Sequence, residues 1–165
     1  MLKSILVLCS LFGAIPLIAT AQAAVRVEKA DLQGSRPLED QTATAVIHNY
    51  LQSWQTLQLA LDQNRADLLD SDFVGDARDK FASTIQQQAL LGIRTHYRDQ
   101  AHDLRIVFYS PEGLSVELTD KAEYDVELFD HGKSAGTHHV QVHYIAVLTP
   151  SESRWRVRVF QAEPQ

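Results

Sequence analysis

The sequence is poor in cysteine, glycine, proline and basic residues. Its 165 residues include one Cys, seven Gly and five Pro. A single cysteine cannot form an intrachain disulfide, which excludes a disulfide-built scaffold, and so few glycines and prolines argue against long flexible linkers. There are 21 acidic residues against 15 Lys and Arg. A net charge of −6 disfavours a nucleic-acid partner, because nucleic-acid binders usually carry a basic surface. The length and the 45% hydrophobic content fit one globular domain with an apolar core.

Catalytic and cofactor motifs are also absent. The sequence contains no G-x-S-x-G, H-E-x-x-H, P-loop or G-x-G-x-x-G pattern. We therefore predict no cofactor. The absence of these motifs does not decide whether the protein is an enzyme, but it favours a protein without catalytic activity.

Residues 1–23 are typical of a secretory signal peptide. Lys3 precedes an apolar run at residues 5–18, and the small residues Ala21 and Ala23 suit a signal peptidase. The run is shorter than the roughly 20 apolar residues that a membrane helix needs. We expect cleavage after Ala23, a periplasmic or secreted product, and no stable membrane span afterwards. A retained N-terminal anchor is the alternative.

The rest of the chain divides into an arm at residues 24–38, a single domain at 39–161 and a tail at 162–165. The arm should be a loose segment or a short edge strand. The domain opens with apolar residues at helical spacing, which predict a long amphipathic helix: Ala43, Val46, Ile47, Tyr50, Leu51, Trp54, Leu57 and Leu61. A short helical piece should follow from Asn64, and another helix should run from Ser71 or Asp72 to Gly92.

After Gly92 the hydrophobic pattern changes to the period of two that is typical of strands. The longest alternating run spans residues 114–128, which predicts a bent or bulged strand. Helices followed by strands indicate an α+β domain, with N-terminal helices packed on one face of a curved antiparallel sheet. The other face should be charged, with acids at Glu117, Glu123, Asp125 and Glu127 and arginines at Arg154, Arg156 and Arg158. We expect water on this face, with a polar partner or a homodimer as the alternative.

This pattern resembles the nuclear transport factor 2-like superfamily, and more narrowly the IMS-type domain of plastid and cyanobacterial division proteins. The resemblance covers residues 43–160 and depends on a few short matches: Trp54-Gln55, Leu68-Leu69, Tyr97, the run at 114–128, Tyr144 and Trp155-Arg156-Val157. It implies a cone-shaped fold with an internal pocket, which can be catalytic, ligand-binding or simply packed. It implies no catalytic residues for this chain.

The seven histidines do not predict a metal site. His138 and His139 are adjacent on a strand and point to opposite faces, while His139 and His143 share a face about 13 Å apart. Zinc needs ligand nitrogens about 2.0–2.1 Å from one ion, so we predict no metal.

The best candidate site contains Asp120, Tyr124 and Tyr144, which fall in phase with the apolar faces of their strands. A buried acid between two phenols could bind a polar ligand or transfer protons. Alternatively, residues 119–121 form the expected bulge and Asp120 turns to water. We predict a secreted, non-catalytic binding or protein-interaction domain for an unknown protein or small-molecule ligand. The alternative is a cofactor-free isomerase or dehydratase that uses Asp120 and Tyr124.

Overall fold

A computed structural model describes residues 22–32, 34 and 36–163. The predicted signal peptide therefore lies outside the described residues, except for Gln22 and Ala23. In chain order the elements are β1 (Ala24–Val27), α1 (Asp40–Gln63), a 3-10 helix (Ala66–Ser71), α2 (Gly75–Leu90), β2 (Ile93–Tyr109), β3 (Val116–Asp130), β4 (Lys133–Pro150) and β5 (Trp155–Ala162). Within this part of the chain, every helix is too short or too polar to cross a bilayer.

The five strands form one sheet in sequence order, from β1 to β5. The α+β prediction is confirmed, but the sheet is mixed rather than antiparallel, because β1 pairs with β2 in parallel. The helices lie between these two strands in the chain. They supply the long crossover that parallel neighbours require, whereas β2 to β5 are joined directly and run antiparallel.

The core lies between α1 and the inner face of the sheet. The helix buries the predicted apolar face, including Val46, Tyr50 and Trp54, against strand residues such as Leu118 and Leu148. Because hydrophobic burial stabilises by roughly 25 cal/mol per Å² of apolar area, this contact is a main source of stability. The same packing directs the side chains of Tyr50 and Trp54 toward the centre of the sheet.

Strand β2 contains two bulges. The β2–β3 register slips between Asp99 and Ala101 and again between Ile106 and Phe108, so the extra residues belong to β2. The predicted bulge at residues 119–121 is wrong, since these residues pair without interruption on both sides. Leu114 also departs from prediction. It is exposed, because β3 begins only at Val116.

Arg154, Arg156 and Arg158 do not pair with the β3 acids of the charged face, because β4 lies between β3 and β5. Arg154 instead forms a 2.8 Å ion pair with the buried Asp72, and Arg156 donates a hydrogen bond to the Phe73 carbonyl at 3.0 Å. On the outer face, the β3 acid Asp125 faces His139 of β4 at 3.0 Å. Arg154 and Arg156 therefore connect the β5 edge of the sheet to the segment before α2.

Candidate functional site

A buried polar network joins α1, β2 and β3 at the centre of the molecule. Asp120 of β3 is fully buried, and its Oδ2 accepts a hydrogen bond from the Tyr50 hydroxyl at 2.8 Å. The same Oδ2 lies 2.8 Å from Nδ1 of His102, which is 2% exposed. The carboxylate that the sequence placed on the apolar face is thus held inside by two partners, and the alternative of an Asp120 turned to water is wrong.

A second carboxylate, Asp99, continues this network toward the surface. Its Oδ1 accepts a 2.7 Å hydrogen bond from the indole Nε1 of Trp54, and its Oδ2 lies 3.5 Å from His102 Nε2. Trp54 and His102 also meet edge to face, with ring centroids 5.4 Å apart. His102 Nε2 and Asp120 Oδ1 are buried without a hydrogen-bond partner in the described part of the chain. Unsatisfied buried polar atoms are costly, so they mark places where a ligand or water fits.

The charge of His102 follows from these neighbours. Desolvation by burial lowers the pKa of His102, but the hydrogen bonds and charges of Asp120 and Asp99 outweigh it and raise the pKa to about 9. At neutral pH the imidazole is therefore a cation that donates from Nδ1 to Asp120. Its Nε2–H faces the Asp99 carboxylate at 3.5 Å, so each ring nitrogen lies beside an acid.

The two predicted tyrosines contact each other rather than Asp120. The hydroxyls of Tyr124 and Tyr144 lie 2.7 Å apart. Burial is the main cause that raises the pKa of each phenol, so both stay protonated at neutral pH. Their rings pack on Trp54, with centroid distances of 5.6 and 5.5 Å. The tyrosines are thus part of an aromatic cluster that fills the space between α1 and the sheet.

This packing leaves little room in the interior. The inner cavity measures about 50 Å³ and is lined by Trp54, Phe81, Tyr97 and Tyr144 among others. Such a volume has room for only a few atoms, since drug-sized ligands occupy roughly 300–1,000 Å³. Tyr144 contributes to this cavity, whereas Asp120 and Tyr124 are not part of its lining. The structure therefore does not bring the three predicted residues together around one space.

The larger space is a groove of about 290 Å³ between β1, α1 and β2, which we call the Trp54 groove. Its apolar lining includes Val25, Leu51 and Trp54, and its charged lining consists of Arg98, Asp99 and His102. Arg98 is exposed and forms no ion pair with any residue in the described ranges. The groove thus combines an apolar wall with two cations and one carboxylate already engaged by Trp54.

The sequence pattern identified Asp120 but missed its partners. His102 occupied an apolar strand position in phase with Leu104, and Tyr50 stood in the apolar stripe of α1. The signal that could have found them is this shared phase, because in-phase polar residues on adjacent strands of one hairpin lie on the same face of the sheet, as the diagonal neighbours His102 and Asp120 do. Asp99 could not be found in this way, because the β2 bulge next to it breaks the alternation.

No metal centre is formed by the part of the chain that the structure describes. In that part, no group of three or more His, Cys, Asp or Glu side chains is arranged to hold an ion. The acidic contacts of His139, at 3.3 Å to Glu123 and 3.0 Å to Asp125, are exposed ion pairs on the outer face.

Comparison with known proteins defines the fold. No family model and no curated protein matches the sequence. Among solved structures, the intermembrane space region of the chloroplast protein ARC6 superposes with a TM-score of 0.63 at 15% identity, covering 79% of this chain and 100% of that one. A scytalone dehydratase-like protein from Novosphingobium aromaticivorans superposes with a TM-score of 0.54 at 14% identity, covering 76% and 89%. The chain has the nuclear transport factor 2-like fold. The predicted fold is thus confirmed, while membership of the superfamily and the function stay predictions at these identities.

Proposed function

We propose that this nuclear transport factor 2-like domain is an exported, non-catalytic binding domain. Its ligand is a small molecule with an anionic group on an apolar body, bound in the Trp54 groove. The observation that carries the proposal is the lining of the groove, where the exposed Arg98, which has no ion pair within the described ranges, stands with the buried cation His102 beside an apolar wall. Export to the periplasm is part of the proposal and depends on the signal-peptide pattern of residues 1–23. The narrower resemblance to IMS-type domains is consistent with a binding role.

The filled interior favours binding over turnover. The Asp120 carboxylate is engaged by Tyr50 and His102, and the Tyr124 and Tyr144 hydroxyls are engaged by each other. A catalytic acid or base must reach the proton that it transfers, directly or through one water. Neither Asp120 nor Tyr124 lines the groove. Asp120 borders a separate space of about 240 Å³ together with Arg105 and Lys121, but Asp120 is fully buried and Tyr124 is not part of that lining.

The lining of the groove defines the chemistry of the ligand. Trp54, Leu51 and Val25 offer an apolar wall, while Arg98 and the protonated His102 offer two cations. The one carboxylate of the lining, Asp99, is held by Trp54 at 2.7 Å and lies 3.5 Å from the His102 cation, which offsets its charge. A carboxylate or sulfonate on an apolar body can pair with the Arg98 guanidinium while its apolar part packs on Trp54. At about 290 Å³ the groove suits a small ligand.

A fluorescence titration with 1-anilinonaphthalene-8-sulfonate tests the proposal. In a Trp155→Phe background Trp54 is the only tryptophan, so energy transfer from it to the probe reports binding near the groove. Removing one exposed cation should cost up to about fivefold in affinity, because an exposed ion pair contributes about 0.2–1 kcal/mol. We expect Arg98→Gln to weaken probe binding about fivefold. The matched control is Arg158→Gln, an exposed arginine on β5, which should leave binding within about twofold.

Two outcomes of this titration contradict the proposal. One is the absence of energy transfer from Trp54 at saturating probe. The other is equal binding by the Arg98→Gln and Arg158→Gln proteins, which would place the probe elsewhere on the surface.

A second function is favoured by one specific contact, the 2.8 Å pair of His102 Nδ1 and Asp120. An imidazole that is oriented by a carboxylate can act as an acid in a dehydration when the substrate displaces the 3.5 Å contact between its Nε2 and Asp99. Because the His102 pKa is raised to about 9, such an enzyme would lose activity as the pH rises through 9. The probe reaction is the dehydration of 4-hydroxy-4-methyl-2-pentanone to mesityl oxide and water. Its progress is measured by the ultraviolet absorbance of the enone product. The binding proposal expects no turnover above buffer, and turnover that His102→Gln abolishes would favour the enzyme instead.

A further inference from the structure

The predicted cleavage point of the leader coincides with the wall of the Trp54 groove. Gln22 and Ala23, the last two residues before the expected cut, both line the groove, and so does Val25 just after it. Ala24 is the first residue of β1. A cut after Ala23 therefore removes two groove residues and leaves the adjoining strand complete.

The strand that remains is held by its own contacts. Ala24 through Val27 pair in register with Ala101 through Leu104 of β2. Beyond the strand, the Glu28 amide donates to the Leu104 carbonyl at 2.7 Å, and Arg26 forms an ion pair with Asp103. None of these contacts involves Gln22 or Ala23. We expect β1 to stay in place after cleavage, so that the new amino terminus is fixed and not free to move away.

We propose that cleavage after Ala23 completes the binding site, because it opens the groove and places the new α-ammonium group of Ala24 at its edge as a third cation for the anionic ligand. The pairing register of β1 with β2 places Ala24 beside the groove. Ala24 pairs with Ala101, which stands in β2 between the two groove residues Asp99 and His102. An α-amino group is largely protonated at neutral pH and below, so the mature terminus adds positive charge that the uncleaved chain lacks there. The inference rests on the proposed function of the groove.

Three N-termini on otherwise identical chains separate charge from bulk. The first chain begins with a free Ala24, recovered from the periplasm after processing and verified by mass spectrometry. The second begins with N-acetylated Ala24, which removes the charge and adds few atoms. The third retains Gln22 and Ala23 behind a glycine, which restores the groove wall seen in the structure. Each chain is titrated with 1-anilinonaphthalene-8-sulfonate and with N-phenyl-1-naphthylamine, an uncharged probe with the same aromatic skeleton.

We expect the acetylated chain to bind the sulfonate probe about fivefold more weakly than the free chain, because a unit charge near a protein surface contributes an energy of this order. The neutral probe should bind these two chains equally. The extended chain should bind both probes more weakly, since its groove is narrower. Equal losses for the neutral and the anionic probe on acetylation would contradict the role of the ammonium charge.

The outcomes distinguish this inference from the function on which it rests. Equal binding of the sulfonate probe by all three chains, with the Arg98→Gln effect retained, overturns the inference and leaves the proposed function standing. Absence of binding by every chain overturns both. Processing at a residue other than Ala23, read from the mass, also overturns the inference.

Discussion

The protonated state of His102 should make the stability of the protein depend on pH in the alkaline range. The folded-state pKa is raised to about 9 from an unfolded value near 6.5. A raised pKa means that the folded protein holds the proton more tightly than the unfolded chain. The stabilisation is therefore fully present below pH 6.5 and is lost as the pH rises through about 9.

The magnitude follows from the size of the shift. One pKa unit corresponds to 1.36 kcal/mol, so a shift from 6.5 to about 9 contributes about 3 kcal/mol of unfolding free energy. Because His102 is 2% exposed, screening by solvent reduces this contribution little. A loss of about 3 kcal/mol is a large part of the roughly 5–15 kcal/mol stability of an ordinary domain.

Urea denaturation at pH 6, 7, 8, 9 and 9.5 measures the effect. The wild-type protein should lose stability across this series, and His102→Gln should be less stable at pH 6 but nearly independent of pH between 7 and 9. The control is His48→Gln, which removes an exposed histidine of α1 and should keep the wild-type slope. A wild-type stability that is constant from pH 6.5 to 9.5, or an equal slope in His102→Gln, would refute the claim that His102 is a buried cation.

Three further substitutions test the contacts around the site by urea denaturation. Tyr50→Phe removes one donor to the buried Asp120 and should cost about 1–3 kcal/mol, and an unchanged stability would show that the contact is absent. Arg154→Met removes the cation from the buried Asp72. It should cost about 2 kcal/mol, less than for a fully buried pair because Arg154 is one-third exposed. Leu148→Ala should cost about 2–5 kcal/mol, since Leu148 is fully buried in β4.

The helices and the strand pattern could be predicted from local periodicity. Val46, Tyr50, Trp54 and Leu57 recur at helical spacing because one face of α1 lies on the sheet, and this face is what the structure buries. The alternation of β3 likewise placed Asp120 inside. These features depend on neighbours within one element, so the sequence contains them.

Other features depend on contacts between distant elements, which local patterns do not contain. The parallel pairing of β1 with β2 follows from the crossover made by the helices. The sequence suggested that Asp72 stands at a helix start. Instead it lies outside α2 and is held by Thr56 and Arg154. The His102–Asp120 pair needed the β2–β3 register, which bulges shift at two places.

The location of the binding site is tested most directly by NMR of the histidine side chains. The chain has seven histidines, and a sample labelled with ¹⁵N at their rings can be titrated with 1-anilinonaphthalene-8-sulfonate. The account predicts that the Nε2–H signal of His102 moves with the probe while those of the outer-face residues His139 and His143 stay in place. Movement of the outer-face signals with an unchanged His102 would contradict a binding site in the Trp54 groove.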